Sequence, residues 1–363
     1  MKTAIVYDRI NKWGGAERVL LALNELFPEA PLYTSVYDKN KADWAGAFPK
    51  IVPSFLQKLP LAAANHEYLA PLMPAAFESH DFSGFDLVIS VTSEAAKGVI
   101  TTPNTRHICY CLTPTRYLWS GYRHYFDNVG RRAVGGPFVK YLRAWDKAAA
   151  QRPDVMVAIS TEVQARIKKY YGRDSEIIFP PTNSHFTPPV ASHRSPVTGY
   201  YLIVSRLVKY KKVDLVVGAF NKLGLALVIV GTGKEEKRLK SMAKKNITFV
   251  SQLTDEELAD YYQKCKAFVM PQLEDFGLAA LEAQMSGRPV LAFARGGARD
   301  TVINGKTGIF FDRQGEEAII EAVNACEKAS FNSMAIQRHA KKFSKERFSR
   351  EFLKLISDVL RCH

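Results

Sequence analysis

No apolar run in this 363-residue chain approaches the roughly 20 residues that a membrane-spanning helix needs. The opening "MKTAIVYDRI" has no long apolar signal region and passes straight into a strand pattern. Cysteine is scarce: the five residues, at 109, 111, 265, 326 and 362, are scattered and odd in number. Cys109 and Cys111 are separated by one residue in an apolar stretch. That reads as reduced cytosolic thiols and argues against a disulfide frame or a zinc site. There is no Asp-x-Asp and no His/Cys/carboxylate cluster with metal-ligand spacing, so no metal site is expected. A G-x-S-x-G elbow and a Walker A loop are also missing, which disfavours a serine hydrolase or a P-loop NTPase. The missing G-x-G-x-x-G fingerprint disfavours a nicotinamide dehydrogenase. Zinc-finger and RRM-like patterns are absent, so nucleic acid is not an expected partner.

What is present is ordinary globular material, 47% hydrophobic and 24% charged, in a length that suggests two domains. Net charge is +14, and the excess is spread along the chain. Residues 1–185 hold 22 basic against 17 acidic side chains, and residues 186–363 hold 28 against 19. Such a balance suits anionic ligands or an anionic surface, nucleotides and phospholipid headgroups among them.

Strand and helix patterns alternate. "TAIVYD", "FDLVISV", "RHICYC" and "DVMVAIS" have the continuous apolar character of parallel-sheet strands. "GGAERVLLALNELF" reads as an amphipathic helix, and "STEVQARIKKYY" as another with Ser160 or Thr161 as its cap. Residues 179–199 then place five prolines in 21 positions, the mark of a linker. A second alternation follows through "YYLIVSR", "LALVIVGTG", "ITFV", "AFVMP" and "PVLAF", and "TDEELADYYQKC" opens with a capping box of Thr254 and Glu257. The expected fold class is α/β: a Rossmann-like, doubly wound domain over residues 1–185 and a second over 186–343, facing a central cleft. Residues 344–363 form a last helix, with Phe348, Phe352, Leu355, Ile356, Val359 and Leu360 on one stripe, that crosses back onto the first domain.

The stretch "EDFGLAALE" sets Glu274 and Glu282 around seven residues, five of them apolar and one a glycine. Eight steps of about 100° leave them roughly 80° apart on a continuous helix, so they are not a stacked helical pair. With "AFVMP" as strand and "GLAALEAQMSG" as a helix stopped by Gly287, Glu274 lies in the connecting loop and Glu282 inside the helix. Both then face one ligand at the carboxyl edge of a sheet, and Gly277 lets helix-start amides approach it. The alternative is an acidic helix start with a solvated Glu282. Arg206 and Lys211, in "VSRLVKYKK", suit phosphate oxygens; a solvated basic loop is the alternative, and the reading for Lys209 and Lys212. Gly14 and Gly15 open amides toward a phosphate or sugar, or make a tight turn; Gly231 and Gly233 wall a nucleotide, or make a turn. Residues 116–145 mix Trp and Tyr with Arg and Lys, which fits an interfacial membrane segment, an acceptor cleft, or a core helix with basic outer positions.

Together "SRLVKYK", "GTG" and "EDFGLAALEA" resemble the second domain of retaining GT-B glycosyltransferases of family 4. "GGAERV" looks like that family's first-domain glycine loop, and "HICYCLTPTRYLW" resembles a segment of a mannosyltransferase-like branch that builds bacterial O-antigen and capsular polysaccharide. The resemblance implies transfer of a sugar, mannose from GDP-mannose as first choice, from a nucleotide diphosphate donor to a lipid-linked or polysaccharide acceptor. Arg206 and Lys211 would hold the diphosphate, Glu282 the ribose hydroxyls, and Glu274 would lie near the donor sugar. Phe276, Gly277 and Leu278 would line the donor, Gly231 and Gly233 its nucleotide, and Gly14 and Gly15 would close on it. Glu274, Arg206 and Lys211 are the implied catalytic set, with no protein nucleophile and no metal cofactor. Leu112, Arg116 and Tyr117 are the acceptor-side candidates. The family often has histidine where Leu112 stands, so either a neighbour such as Arg116 or His107 supplies the polar group or the chain binds donor without turnover. An epimerase of the same shape is a further alternative. The expected location is cytoplasmic, peripheral on the inner face of the cytoplasmic membrane.

Overall fold

The computed structural model describes residues 1–60, 62–63, 66–122, 129–182, 186 and 199–361. Most of the proline-rich stretch, part of the basic aromatic segment and Cys362 lie outside them. The chain divides into two compact units, Met1–Pro181 with Phe348–His363, and Thr182–Arg347.

The first unit is built on a parallel sheet of β1 (Thr3–Tyr7), β2 (Leu32–Thr34), β3 (Ile51–Pro53), β4 (Leu87–Thr92), β5 (Arg106–Cys111), β6 (Val155–Ala158) and β7 (Glu176–Ile177). Its order is β3-β2-β1-β4-β5-β6-β7. Residues of β1 and β4 are buried throughout, as a sheet covered on both faces requires. The order reverses between β1 and β4, which are in register from Thr3 beside Leu87 to Tyr7 beside Val91. Their carboxyl ends therefore form the crevice where doubly wound sheets take ligands. Helix Gly15–Leu26 follows β1. Helix Thr161–Tyr171 follows β6 and is capped by Ser160, whose Oγ accepts from the Val163 amide at 3.1 Å. β2, β3 and β7 are only two or three residues long and have no readable period. Backbone pairing, such as the Leu32 amide donating to the Lys50 carbonyl at 2.8 Å, makes them strands.

The last helix, Lys345–Arg361, buries Phe348, Phe352, Leu355 and Ile356, the first two against the Tyr110 ring at 5.8 and 6.1 Å. The expected stripe is shorter than its pattern: Val359 is half-buried and Leu360 is 41% exposed, because the final turn runs past the apolar surface.

His107, near the amino end of β5, is fully buried; its Nε2 pairs with Ser90 Oγ at 2.8 Å while Nδ1 has no hydrogen-bond partner among the described residues. Burial pushes the imidazole down to about 3; the Asp154 carboxylate opposes this and Arg152 and Arg173 add to it. The unfolded chain therefore binds a proton that the folded chain excludes. Stability that is complete above the ordinary histidine value, about 6.5, is lost as pH falls toward 3. Urea melts between pH 7 and 4 are expected to show this fall, and His107→Gln to flatten it. An unchanged slope in the variant would assign the fall to other groups.

The second unit holds β8 (Tyr201–Val204), β9 (Leu227–Val230), β10 (Ile247–Val250), β11 (Ala267–Met270), β12 (Val290–Phe293) and β13 (Gly308–Phe311), all parallel. The order β10-β9-β8-β11-β12-β13 reverses between β8 and β11. Val216, Val217 and Phe220 of helix Val213–Leu223 join Ile319 and Val323 of helix Glu316–Lys328 over Leu227, Ile229 and Leu291. The Thr254–Glu257 capping box is formed in both directions, at 3.2 and 2.8 Å.

Among the described residues every cysteine is free. Burial pushes the Cys109 thiol up to about 11 and Cys265 to about 12, so neither is a thiolate at neutral pH.

Candidate functional site

In the second unit the crevice between β8 and β11 collects the charged residues. The chain leaving β8 carries Arg206 and a short turn Lys209–Lys211; the chain leaving β11 carries Gln272 and Glu274. Lys211 Nζ forms an ion pair with Glu274 Oε1, which also accepts from Gln272 Nε2 at 2.7 Å. The two charged side chains are 14% and 18% exposed, so the pair is shielded yet reachable. Arg206 is exposed and donates to the Tyr210 hydroxyl, and it has no carboxylate partner among the described residues. A guanidinium left unneutralised beside a shielded ion pair favours an anion.

Gly277 takes φ 95°, a left-handed conformation that an L side chain resists, and turns the chain into helix Leu278–Met285. The first amides of that helix lack intrahelical partners and sit at the crevice end. Glu282 lies one turn in. It is 6% exposed, and its Oε2 accepts from the Tyr262 hydroxyl at 2.8 Å. The solvated alternative for this residue is therefore set aside. Phe276 is buried with its ring edge-on to Phe343 at 5.8 Å, so its side chain packs in the core.

The two glycines after β9 have a mechanical reason. A Cβ on Gly231 would lie 2.0 Å from the Ser205 carbonyl oxygen, and one on Gly233 would lie 2.2 Å from that of Leu207. Their absence lets the Leu207 amide reach Thr232 and the Glu235 amide reach Leu207, at 2.8 and 3.0 Å, which braces the arm bearing Arg206. Gly231→Ala, at φ 140°, is expected to cost about 1–3 kcal/mol by overpacking and to weaken anion binding at Arg206. Thermal melts with and without nucleotide check both effects. Gly296 and Gly297 play the same part toward Glu274 and were not singled out by motif. Cβ atoms there would lie 2.3 Å from the Glu274 carbonyl oxygen and 2.3 Å from Phe276 Cα. The paired glycines in "ARGGAR" were the available signal.

In the first unit Gly14 precedes the helix beginning at Gly15, and a Cβ on Gly14 would stand 3.1 Å from Glu17 Oε2. Glu17 is buried and accepts from the Tyr7 hydroxyl at 2.7 Å, so the glycine makes room for a fixed carboxylate.

Leu112 lies just past β5, half-buried, with its amide on the Thr92 carbonyl at 2.8 Å. His107 does not supply a polar group there. Five residues of strand, about 16 Å, separate the two positions, and the imidazole is enclosed against Ser90. Arg116 and Tyr117 are half-buried at the same end of the sheet as Leu112. Burial raises the Tyr117 phenol well above its usual value, with the Glu94 and Asp146 carboxylates adding to it.

Two carboxylates that no motif marked organise this edge. Asp8, at the end of β1, accepts from the amides of Ser93, Glu94, Ala95 and Ala96 at 2.6 to 3.0 Å and from Thr92 Oγ1 at 2.9 Å. Asp146 pairs with Lys97 at 2.5 Å, both 1% exposed, and accepts from Thr115, Trp119 and Tyr171 at 2.7 to 2.8 Å. Arg9 and Glu94 form a further pair at the crevice mouth; burial pushes the Glu94 carboxyl up and Arg9 opposes it.

Residues 193–346 match the family described as Glycosyl transferases group 1. A GDP-mannose-dependent alpha-(1-6)-phosphatidylinositol monomannoside mannosyltransferase of Mycobacterium tuberculosis is 27% identical over 218 residues, 52% of this chain and 57% of that protein. The chain spans between 26% and 61% of the length of such curated relatives. Among solved structures, sucrose-phosphate synthase from Thermosynechococcus elongatus superposes with a TM-score of 0.78 at 19% identity, covering 100% of both chains. Anabaena HepE in complex with UDP gives 0.73 at 15% identity, covering 99% of this chain and 100% of that one. These are GT-B proteins, and their likeness, with the two parallel sheets, shows the fold. Residues 193–346, most of the second unit, thus resemble the glycosyl transferases group 1 family, and the two parallel sheets have the GT-B fold.

Proposed function

We propose that the protein is a retaining glycosyltransferase that moves a hexose from a nucleoside diphosphate sugar to a lipid-linked or polysaccharide acceptor. The observation that carries this is the exposed, unneutralised Arg206 beside the Lys211–Glu274 pair, at the switch point of a group 1 domain. Arg206 and Lys211 meet the diphosphate, and their charge stabilises it as it leaves. Glu282, held by Tyr262, accepts from the ribose hydroxyls, and Glu274 orients the donor sugar. The leaving phosphate takes the acceptor's proton, so no carboxylate nucleophile is needed and transfer survives chelator. Restoration of a chelator-abolished activity by magnesium or manganese would overturn that last point.

GDP-mannose is the first donor to test, because a mannosyltransferase is among the relatives; UDP-sugars come second, because a structural neighbour holds UDP. Thermal shift across a nucleotide-sugar panel reads the donor through mass action. Arg206→Ala is expected to weaken the stabilising nucleotide by about 1.5–3 kcal/mol in calorimetry, the range of a hydrogen bond to a charged group. Undiminished binding would remove Arg206 from the site.

Contact with an anionic membrane surface is supported by exposed Phe138 and Tyr141 flanking exposed Lys140 in helix Val129–Ala149. No helix of the described residues is long and apolar enough to cross a membrane. A second reading, donor binding without turnover, is favoured by the aliphatic Leu112. Leu112→His then raises turnover, whereas a fully active native chain excludes that reading.

A further inference from the structure

The geometry points to Trp13 and Trp44 as a stacking platform for a pyranose ring of the acceptor, at the carboxyl edge of the first unit's sheet. This rests on the transferase reading above and adds a site to it. Trp13 immediately precedes Gly14 and Gly15 in the loop leaving β1, and it is 49% exposed. An indole costs solvation free energy when left half in water, so a folded chain normally turns it inward. Here it is held outward by a chain of aromatic contacts. Its ring centroid lies 6.4 Å from that of Trp44, at 54°, and Trp44 meets Phe48 edge-on at 6.3 Å. Phe48 is buried, so the row of rings is rooted in the core.

Hydrogen bonds fix the same corner. Trp44 Nε1 donates to the Lys12 carbonyl at 2.8 Å, which ties the loop after β2 to the loop after β1. The Ile10 amide donates to Val36, and the Asp38 amide to Ile10, at 2.9 and 2.8 Å. Asn24 Nδ2 holds the Ala47 carbonyl at 3.3 Å, and Asn11 Nδ2 the Ala63 carbonyl at 3.1 Å. An exposed ring on a braced loop loses little freedom when a ligand covers it, and that sets it apart from an ordinary surface tryptophan.

The chemistry of the corner selects the occupant. Two indole faces meeting at an angle offer negative π-surface to the partly positive C–H bonds on one face of a pyranose. Exposed Lys12 and Asp43, adjacent in sequence to the two rings, provide a donor and an acceptor for hydroxyls at the rim. A phosphate would gain nothing from the indole faces.

Saturation-transfer NMR on the full chain tests this with methyl α-D-mannopyranoside, methyl β-D-glucopyranoside and methyl β-D-galactopyranoside as probes. At least one probe is expected to receive saturation on the C–H protons of one ring face. In Trp13→Ala its affinity falls about tenfold, the factor a single stacked ring supplies, while Trp13→Phe retains most of it. GDP and UDP binding, measured by calorimetry on the same samples, stays unchanged in both variants, which also verifies their folding. Saturation of no probe by the native chain, or equal saturation in Trp13→Ala, overturns the platform. Failure of the native chain to bind any nucleotide or nucleotide sugar overturns the transferase reading instead, so the two failures are distinguishable.

Discussion

Asp146→Ala is expected to destabilise the first unit by about 3–5 kcal/mol, the range found when one member of a buried ion pair is removed. The carboxylate is 1% exposed and receives Lys97, Thr115, Trp119 and Tyr171 at once. Truncating it leaves the buried Lys97 ammonium without its counter-charge, with only Thr115 Oγ1 and the Glu94 carbonyl still accepting from it, and takes an acceptor from Trp119 and Tyr171. Burial works against the Lys97 ammonium, but Asp146 more than offsets it and holds its pKa above the usual lysine value, so the ammonium is charged at neutral pH. Lys97→Met with Asp146→Leu removes both charges and is expected to recover the part of the loss that comes from the unpaired ammonium, but not the part from the donors that Asp146 served. A single variant with a native melting curve would mean that water enters freely and relieves the charge. The consequence for function is local. Thr115 and Trp119 belong to the segment that follows Leu112, so the same carboxylate fastens that segment to helix Val129–Ala149.

Breaking the Lys211–Glu274 pair is expected to reduce turnover about 10²–10³-fold, the cost of losing one preorganised group that stabilises developing charge. Lys211→Ala removes charge from the leaving diphosphate and leaves Glu274 repelling it. Glu274→Gln keeps the size of the side chain but releases Lys211 from its partner. Because the two residues act as a unit, the double variant should lose little more than the worse single variant. Single-turnover transfer with saturating donor separates this from weakened binding. Both singles retaining turnover within about twofold would leave the pair a structural clasp between the chains leaving β8 and β11.

The contributions of sequence and tertiary structure divide by distance along the chain. Thr254 and Glu257 are three residues apart, and Ser160 is three residues from the amide it caps; such contacts are written in local order and were legible. The long buried strands were equally legible, because a covered parallel strand must be apolar throughout. Glu274 and Glu282 were placed correctly on loop and helix for the same reason, with Gly277 and Gly287 marking the ends. β2, β3, β7 and β13 were not legible. β2, β3 and β7 have two or three residues and carry no period, so their status comes from neighbours that pair with them, and β13, as long as the strands that were read, is placed by its pairing with β12.

The partners of the charged groups were the least legible. Lys211 meets Glu274 across 63 residues of chain, and Asp8 meets the loop after β4 across 85 to 88. Their spacing in sequence has no relation to their spacing in space. Sheet order sets it: β8 lies beside β11, and β1 beside β4, so chain ends that are remote in sequence share one edge. The same holds for the glycines. Nothing near Gly231 or Gly297 in sequence says that a carbonyl or a Cα will come within 2.0 or 2.3 Å of the missing Cβ. The sequence by itself determined the alternation, the caps and the chemical types available. Tertiary structure decided which of them meet, because parallel pairing joins strands through crossovers whose length the local pattern does not encode.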